Sequence, residues 1–175
     1  MKGDGDGWAA GPNGAAMWGK NGAAGILLLA GHDGEDLDSW TMLMQHRAHW
    51  TNNGGTWALP GGARDSHESA ADAALREAHE ETGINATEVE ILKAVVTAGP
   101  FPKDPQRPEL PGEWSYTTVI AGTIDGEELE TTANNESLEL RWVALSEVAE
   151  MPLMPAFHKA WPQLRALLGE LAMTH

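Results

Sequence analysis

The alternation of apolar and polar residues along the chain predicts several β-strands connected by loops. A continuous apolar run at 23–30 predicts a buried strand, and residues 40–48 predict a second strand that pairs with it as a hairpin. Strand patterns also cover 88–97, 114–124 and 138–144. Clusters of glycine, proline, asparagine and acidic residues separate these segments, so we expect loops between them.

Two segments have the spacing of helices. The clearer one covers 66–82, where Asp65 or Ser66 can cap the N-terminus and Gly83 fits the left-handed position after the last turn. The C-terminal segment also reads as helical, and Pro162 inside it predicts a kink or a restart of the helix.

The first part of the chain differs in composition from the rest. Residues 1–22 are rich in glycine and alanine, with Trp8 and Trp18 embedded, so we expect either a loose N-terminal arm or an arm pinned by its two tryptophans. Residues 23–175 have a length typical of one domain, and 42% of the chain is apolar, which is enough for a sizeable core.

Charge and cysteine content exclude several classes of function. The formal net charge is −15, so we expect no binding to a nucleic acid polymer or to an anionic membrane, since both require a basic surface. An anionic substrate would need a metal cation beside it. The absence of cysteine excludes a thiolate zinc site and a disulfide scaffold. The acidic N-terminus and the short apolar runs fit neither a signal peptide nor a membrane span, so we expect a cytoplasmic protein.

Three glutamates in the predicted helix carry the strongest chemical signal. Glu77, Glu80 and Glu81 stand at positions i, i+3 and i+4, so their side chains share one face. Like charges this close repel one another and weaken the helix, which predicts a bound cation. Mg²⁺ is the natural candidate because it prefers oxygen ligands and keeps positions for substrate phosphates. The Pro-Gly-Gly turn at 60–62 can bring backbone close to a ligand.

The segment 62–84 resembles the signature of the Nudix hydrolase family. The residues that match the specified positions of the signature are Gly62, Glu68, Arg76, Glu77, Ala78, Glu80, Glu81, Gly83 and Ile84. This resemblance implies an α/β fold class, with a Nudix α/β/α sandwich in which a mixed β-sheet lies between helices. It also implies hydrolysis of a nucleoside diphosphate linked to another group.

The resemblance also implies roles for individual residues. The groups that would bind Mg²⁺ or Mn²⁺ are the side chains of Glu77, Glu80 and Glu81 and the carbonyl of Gly61. The residues that would support the motif are Gly62, Glu68, Arg76 and Gly83, with a salt bridge between Arg76 and Glu68. Glu136, six residues before Trp142, would add a further carboxylate, although other glutamates lie nearby. Either Glu77 or Glu136 would take the proton of the attacking water.

Residues outside the signature are expected to bind the substrate. Arg47 lies fourteen residues before Gly61, where MutT-like relatives place an arginine near the substrate, and a plain surface arginine is the alternative. Three aromatic residues are candidates for stacking on a nucleobase: Trp50, Trp114 and Tyr116. Most of the eight tryptophans are expected to serve as core or loop anchors, because a large ring mainly buries area.

The compact domain and the residues leading into the signature look most like MutT-type members. Such proteins hydrolyse nucleoside triphosphates, including 8-oxo-dGTP, to a monophosphate and pyrophosphate. One alternative is an ADP-ribose or other nucleoside-diphosphate pyrophosphatase, since Pro100 lies sixteen residues after Ile84 as in ADP-ribose-hydrolysing members. A further alternative is a Nudix-fold nucleotide sensor without hydrolysis. The tryptophans of the arm could also serve a homodimer interface.

Overall fold

The computed structural model describes residues 3–51 and 53–173. Within these residues the strands are β1 (Trp8–Ala10), β2 (Ala16–Trp18), β3 (Ala23–Ala30), β4 (Thr41–Arg47), β5 (Trp57–Ala58), β6 (Gly61–Ala63), β7 (Val89–Phe101), β8 (Trp114–Thr123) and β9 (Ser137–Ala144). The α-helices are α1 (Ala70–Thr82) and α2 (Pro155–Met173). None of the helices in the described part of the chain combines the length and apolarity needed to cross a membrane.

Seven strands form one mixed sheet with the order β5-β4-β3-β8-β7, in which β6 also pairs with β3 and β9 with β4. The expected antiparallel pairing of β3 with β4 is present, but it is confined to their ends, at Leu29 with Met42 and Ala30 with Thr41. Most of β3 instead runs parallel to β8. The remaining neighbours in this sheet pair antiparallel, which gives the mixed sheet expected from the resemblance.

Both faces of the sheet are covered by helices, which explains why β3 is apolar at nearly every position. Side chains alternate across a strand, so Ile26 and Leu28 pack in the core beneath α1, whereas Leu27 and Leu29 pack in the core beneath α2. The chain is therefore an α/β/α sandwich, as expected.

Helix α1 begins later than the pattern suggested. Its N-cap is Ser69, whose side chain accepts a hydrogen bond from the Asp72 backbone N–H in a capping box, so the start expected at residue 66 was wrong. Both expected caps have other partners. Asp65 accepts a hydrogen bond from the Gly5 N–H, and the Ser66 N–H donates to Asp4.

Two other expectations need correction. Strand β7 continues to Phe101, beyond the expected end at 97, because it keeps pairing with β8 through several register shifts as far as Trp114. Helix α2 is continuous through Pro162. Pro162 is exposed, while Trp161 and Leu164 on the inner side stay buried in the core, so packing holds the helix together across the proline.

The N-terminal arm is pinned. Strands β1 and β2 form a separate antiparallel hairpin in which Trp8 pairs with Trp18. The hairpin is bonded to the rest of the chain through the Ala10 N–H, which donates to the Pro111 carbonyl, and through the Arg107 side chain, which donates to the Ala15 carbonyl. The division of the chain into an arm at 1–22 and a domain at 23–175 stays a prediction, and residues 1, 2, 52, 174 and 175 lie outside the described ones.

A matched pair of glycine substitutions tests the end of α1. Gly83 has φ +81°, and an added Cβ there would meet nothing within 4 Å, so Gly83→Ala should lose about 1 kcal/mol of unfolding free energy through backbone strain alone. Gly169 lies inside α2 with the nearest atom 3.7 Å from an added Cβ, so Gly169→Ala should gain up to about 1 kcal/mol. Urea unfolding measures both changes. Shifts of the same sign would contradict the assigned left-handed cap.

Candidate active site

The largest concentration of expected site residues lies in one cleft of about 1110 Å³. It opens where β3 and β8 begin and where β7 ends, and α1 provides one of its walls. The expected site residues that line it are Arg47, Trp50, Gly61, Gly62, Arg76, Glu77, Glu80, Glu81, Trp114, Tyr116 and Glu136. The fold therefore brings together residues that are almost ninety positions apart in the sequence.

Arg76 lies at the centre of a network of carboxylates. Its guanidinium group donates to both carboxylate oxygens of Glu68, at 2.8 and 2.9 Å, and to the Ala63 carbonyl at 3.0 Å. It also donates to Glu77 at 3.0 Å. The hydrogen bonds from Arg76 lower the pKa of Glu68, and the same pair raises the pKa of Arg76. Both groups are therefore held ionised, and the loop before α1 is fixed to the helix.

Glu77 lies between Arg76 and the backbone of Gly62. Its side chain is only 14% exposed, and an added Cβ at Gly62 would come within 2.6–2.8 Å of its carboxylate atoms. A glycine at this position therefore leaves the space that the carboxylate occupies. Burial raises the pKa of Glu77 to about 7, with Arg76 acting in the opposite direction and Glu80 adding to the rise.

Glu81 is the most buried carboxyl group of the motif. It accepts a hydrogen bond of 2.9 Å from the Gly61 N–H, and the Glu136 carboxyl group lies beside it. Burial, followed by the interaction with Glu136 and by the charge of Glu77, raises the pKa of Glu81 well above the ordinary value.

The loop before β9 is tied down so that Glu136 reaches α1. The Glu136 N–H donates to the Asn134 side chain, which in turn donates to the Glu80 carbonyl on α1. The Glu136 carbonyl accepts from the Ala48 N–H, and the Trp50 indole donates to the neighbouring Asn135 carbonyl. These bonds connect three separate parts of the chain around one carboxylate.

The donor set fits a divalent cation. Glu77, Glu81 and Glu136 supply oxygen ligands that are buried or half-buried and crowded. The pKa values of Glu77 and Glu81 are raised, first by burial and then by neighbouring negative charges. Glu80 adds a carboxylate that is 45% exposed at the rim.

A second group of metal-binding side chains lies beside the motif. Within residues 3–51 and 53–173, the three side chains whose ligand atoms all come within 4.8 Å of one another are Asp65, His67 and Glu68. Both oxygens of Glu68 already accept hydrogen bonds from Arg76, so this group is less suited to a cation than the carboxylates on α1.

The expected substrate-binding residues differ in how much surface they offer. Trp50 is 67% exposed, whereas Trp114 is 5% exposed and stacks on Phe101 with ring centroids 5.9 Å apart, which leaves little of its ring for a ligand. Tyr116 is partly buried, and its hydroxyl sits over Gly25, where an added Cβ would clash with it. Burial, followed by the charge of Glu81, raises the pKa of Tyr116. Two expected residues, Glu68 and Gly83, lie outside the cleft lining.

Sequence reasoning did not assign several residues of this cleft. The N-terminal hairpin contributes Trp8 and Trp18, and α2 contributes Phe157 and Lys159. The signal for the hairpin was two tryptophans in a segment otherwise made of small residues. The α2 residues carry no local signal, because only the fold brings them to the cleft.

The pKa of Glu77 predicts a pH-dependent stability of the metal-free protein. The folded protein binds this proton more tightly than the unfolded chain, with a pKa of about 7 against 4.5. The resulting stabilisation is fully present below about pH 4.5 and is lost as the pH rises through about 7. In EDTA, we expect Glu77→Gln to lose part of this decline in unfolding free energy with pH and to keep the part due to Glu81. Urea unfolding at a series of pH values measures the decline. Glu170→Gln, on the exposed side of α2, should keep the wild-type profile. A wild-type protein that gains stability over this interval would contradict the sign.

Comparison with known proteins agrees with this geometry. A family model described as NUDIX domain matches residues 19–165. A Mycobacterium tuberculosis protein named "Putative 8-oxo-dGTP diphosphatase 3" is 49% identical over 94% of this chain and 71% of its own length. The crystal structure of a Nudix hydrolase from M. smegmatis, RenU, is 45% identical, with a TM-score of 0.82 over 95% of this chain and 96% of that one. The crystal structure of a C. elegans Ap4A hydrolase shares the fold at 17% identity, with a TM-score of 0.62 over 85% of this chain and 98% of that one. The chain therefore belongs to the Nudix hydrolase family.

Proposed function

We propose that this protein hydrolyses nucleoside triphosphates to a nucleoside monophosphate and pyrophosphate, in a reaction that depends on Mg²⁺ or Mn²⁺. The observation that carries the proposal is the convergence of four carboxylates, from α1 and from the loop before β9, in one cleft with aromatic walls. The carboxylates suit a cation and, through it, a phosphate chain, and the aromatic walls suit a nucleobase. The proposed substrate is a small nucleotide, and the proposed place of action is the cytoplasm.

The similarity to the M. tuberculosis protein favours an oxidised deoxynucleotide such as 8-oxo-dGTP among these substrates. The identity of 49% extends over 94% of this chain. A single cleft next to the motif also accommodates a nucleotide, because its volume of about 1110 Å³ lies at the upper end of ordinary ligand pockets.

The residues of the chain have separable tasks in this reaction. Water attacks a phosphorus atom of the triphosphate, a new P–O bond forms, and the bond to the leaving phosphate oxygen breaks. A divalent cation held by Glu77, Glu80, Glu81 and the Gly61 carbonyl would neutralise the negative oxygens that otherwise repel the water. Glu77 or Glu136 accepts the proton of the water. Arg76 keeps Glu77 in place through its hydrogen bond.

A turnover screen tests the proposed reaction. We expect release of pyrophosphate from 8-oxo-dGTP or an ordinary dNTP with Mg²⁺, and loss of this activity in EDTA. Glu80→Gln should lower kcat by about 100-fold or more, because it removes a charged ligand at the exposed rim without disturbing the core. Glu170→Gln serves as the matched control at an exposed position outside the cleft lining and should keep full activity.

The same screen includes ADP-ribose, NADH and a diadenosine polyphosphate. A preference for ADP-ribose would contradict the triphosphate assignment and favour a nucleoside-diphosphate pyrophosphatase. Nucleotide binding without turnover of any compound would instead indicate a sensor. A homodimer stays a prediction, and sedimentation of the purified protein would test it.

Two glutamine variants separate the candidate bases. We expect the variant that removes the base to lose the acid limb of the single-turnover pH profile, because a neutral amide cannot accept the proton. A variant that removes only a metal ligand should keep this limb and need more Mg²⁺ for half-maximal rate. The variants are Glu77→Gln and Glu136→Gln. Equal and mild losses with unchanged pH profiles in both would contradict either assignment.

A further inference from the structure

The N-terminal hairpin presents two large aromatic side chains to the catalytic cleft. Trp8 and Trp18 contact each other edge to face, with ring centroids 5.1 Å apart and planes at 81°. Both line the cleft that holds the motif carboxylates, yet they remain 48% and 45% exposed. Leaving this much indole surface in water costs free energy of transfer, so the pair offers a ready surface for an apolar ligand.

The base of the hairpin is bonded directly to the loop that begins the motif. The Gly5 N–H donates to Asp65 at 2.9 Å, and Asp4 accepts from both the backbone N–H and the hydroxyl of Ser66. Asp65 in turn lies beside Glu68, whose carboxylate accepts from the Asp65 N–H. The distance between the tryptophan pair and the catalytic carboxylates is therefore set by hydrogen bonds rather than by a free arm.

The far side of the hairpin is held equally well. The Trp114 indole N–H donates to the Trp18 carbonyl at 3.0 Å, and Trp114 is stacked on Phe101. The stack of Trp114 on Phe101 is thus bonded to the backbone of the strand that carries Trp18. Trp114 itself offers little surface to a ligand, whereas Trp8 and Trp18 are exposed.

The cleft is lined by two chemically different kinds of side chain. Glu77, Glu81 and Glu136 suit a cation and, through it, an anionic phosphate chain, while the tryptophans in the lining supply flat aromatic rings. A ligand that matches both kinds of side chain carries an anionic group and a planar group with apolar faces. A nucleotide has this form, since every nucleobase has a π-face that stacks on aromatic side chains.

We propose that Trp8 and Trp18 form the nucleobase-binding wall of the active site, so that the N-terminal hairpin determines substrate specificity. This inference rests on the proposed function for the nature of the ligand, but it assigns a role to a segment outside the catalytic motif. The competing wall is Trp50, which is also exposed and lines the same cleft.

Equilibrium dialysis with two probes tests this wall without requiring turnover. The probes are dGMP and deoxyribose 5-phosphate, which differ by the base alone. Wild-type protein should bind dGMP more tightly, and the double variant Trp8→Ala/Trp18→Ala should bind dGMP about tenfold more weakly while its affinity for deoxyribose 5-phosphate stays the same. The double variant Trp8→Phe/Trp18→Phe keeps aromatic faces and should retain most of the affinity. It also keeps the test valid if the alanine variant loosens the hairpin.

Kinetics and sedimentation complete the test. With the substrate found by the screen, the alanine variant should raise KM and leave kcat nearly unchanged, since the carboxylates remain in place. Unchanged dGMP affinity in the alanine variant, or a loss seen only in Trp50→Ala, would overturn the inference. A change in sedimentation without a change in dGMP affinity would assign the pair to a protein interface and overturn it as well. If the wild-type protein binds dGMP through its base but hydrolyses no nucleotide, the tryptophan wall is supported and the proposed reaction is wrong. If the protein hydrolyses a nucleotide but the alanine variant keeps the wild-type affinity for dGMP, the reaction is supported and the wall is wrong.

Discussion

Several carboxylates can share one face of α1 because the Arg76 guanidinium lies among them. Its paired hydrogen bonds to Glu68 fix the loop before the helix, and its contacts with Glu77 and the Ala63 carbonyl fix the helix relative to β6. One guanidinium cannot balance the remaining charge, however. Burial and mutual repulsion raise the pKa values of Glu77 and Glu81, so the folded protein carries a site that is unfavourable until protons or a cation enter it.

The closeness of backbone to these carboxylates imposes a second constraint. Gly61 lies against β3 so tightly that an added Cβ would come within 2.4 Å of the Ala24 carbonyl oxygen, and Gly62 leaves room for the Glu77 carboxylate. The turn can therefore donate its Gly61 N–H to Glu81. Gly61 thus allows the turn to pack against β3, and Gly62 leaves space for a carboxylate of α1.

Local patterns in the sequence predicted the parts of the site that depend on local geometry. The spacing of Glu77, Glu80 and Glu81 follows from the helix period alone, and a glycine at position 83 marks the end of the helix. The start of α1 was predicted too early, because both candidate caps bond to the N-terminal arm, whereas the capping box of Ser69 and Asp72 begins the helix. Strand β7 and the continuous α2 likewise depend on partners distant in sequence, which a local pattern does not contain.

The same distinction separates the carboxylates of this cleft from its aromatic walls. The motif carries its carboxylates on one helix beside one turn, so a short segment of the sequence is enough to predict them. The aromatic walls come from the hairpin, from the loop around Trp50 and from α2, and they meet only in the folded chain. If the hairpin binds the base as proposed, a change there would alter which base fits while the carboxylates and Arg76 stay where they are. Because Asp65 bonds the hairpin to the motif loop, the tryptophan pair and the carboxylates remain aligned even though they are encoded about sixty residues apart.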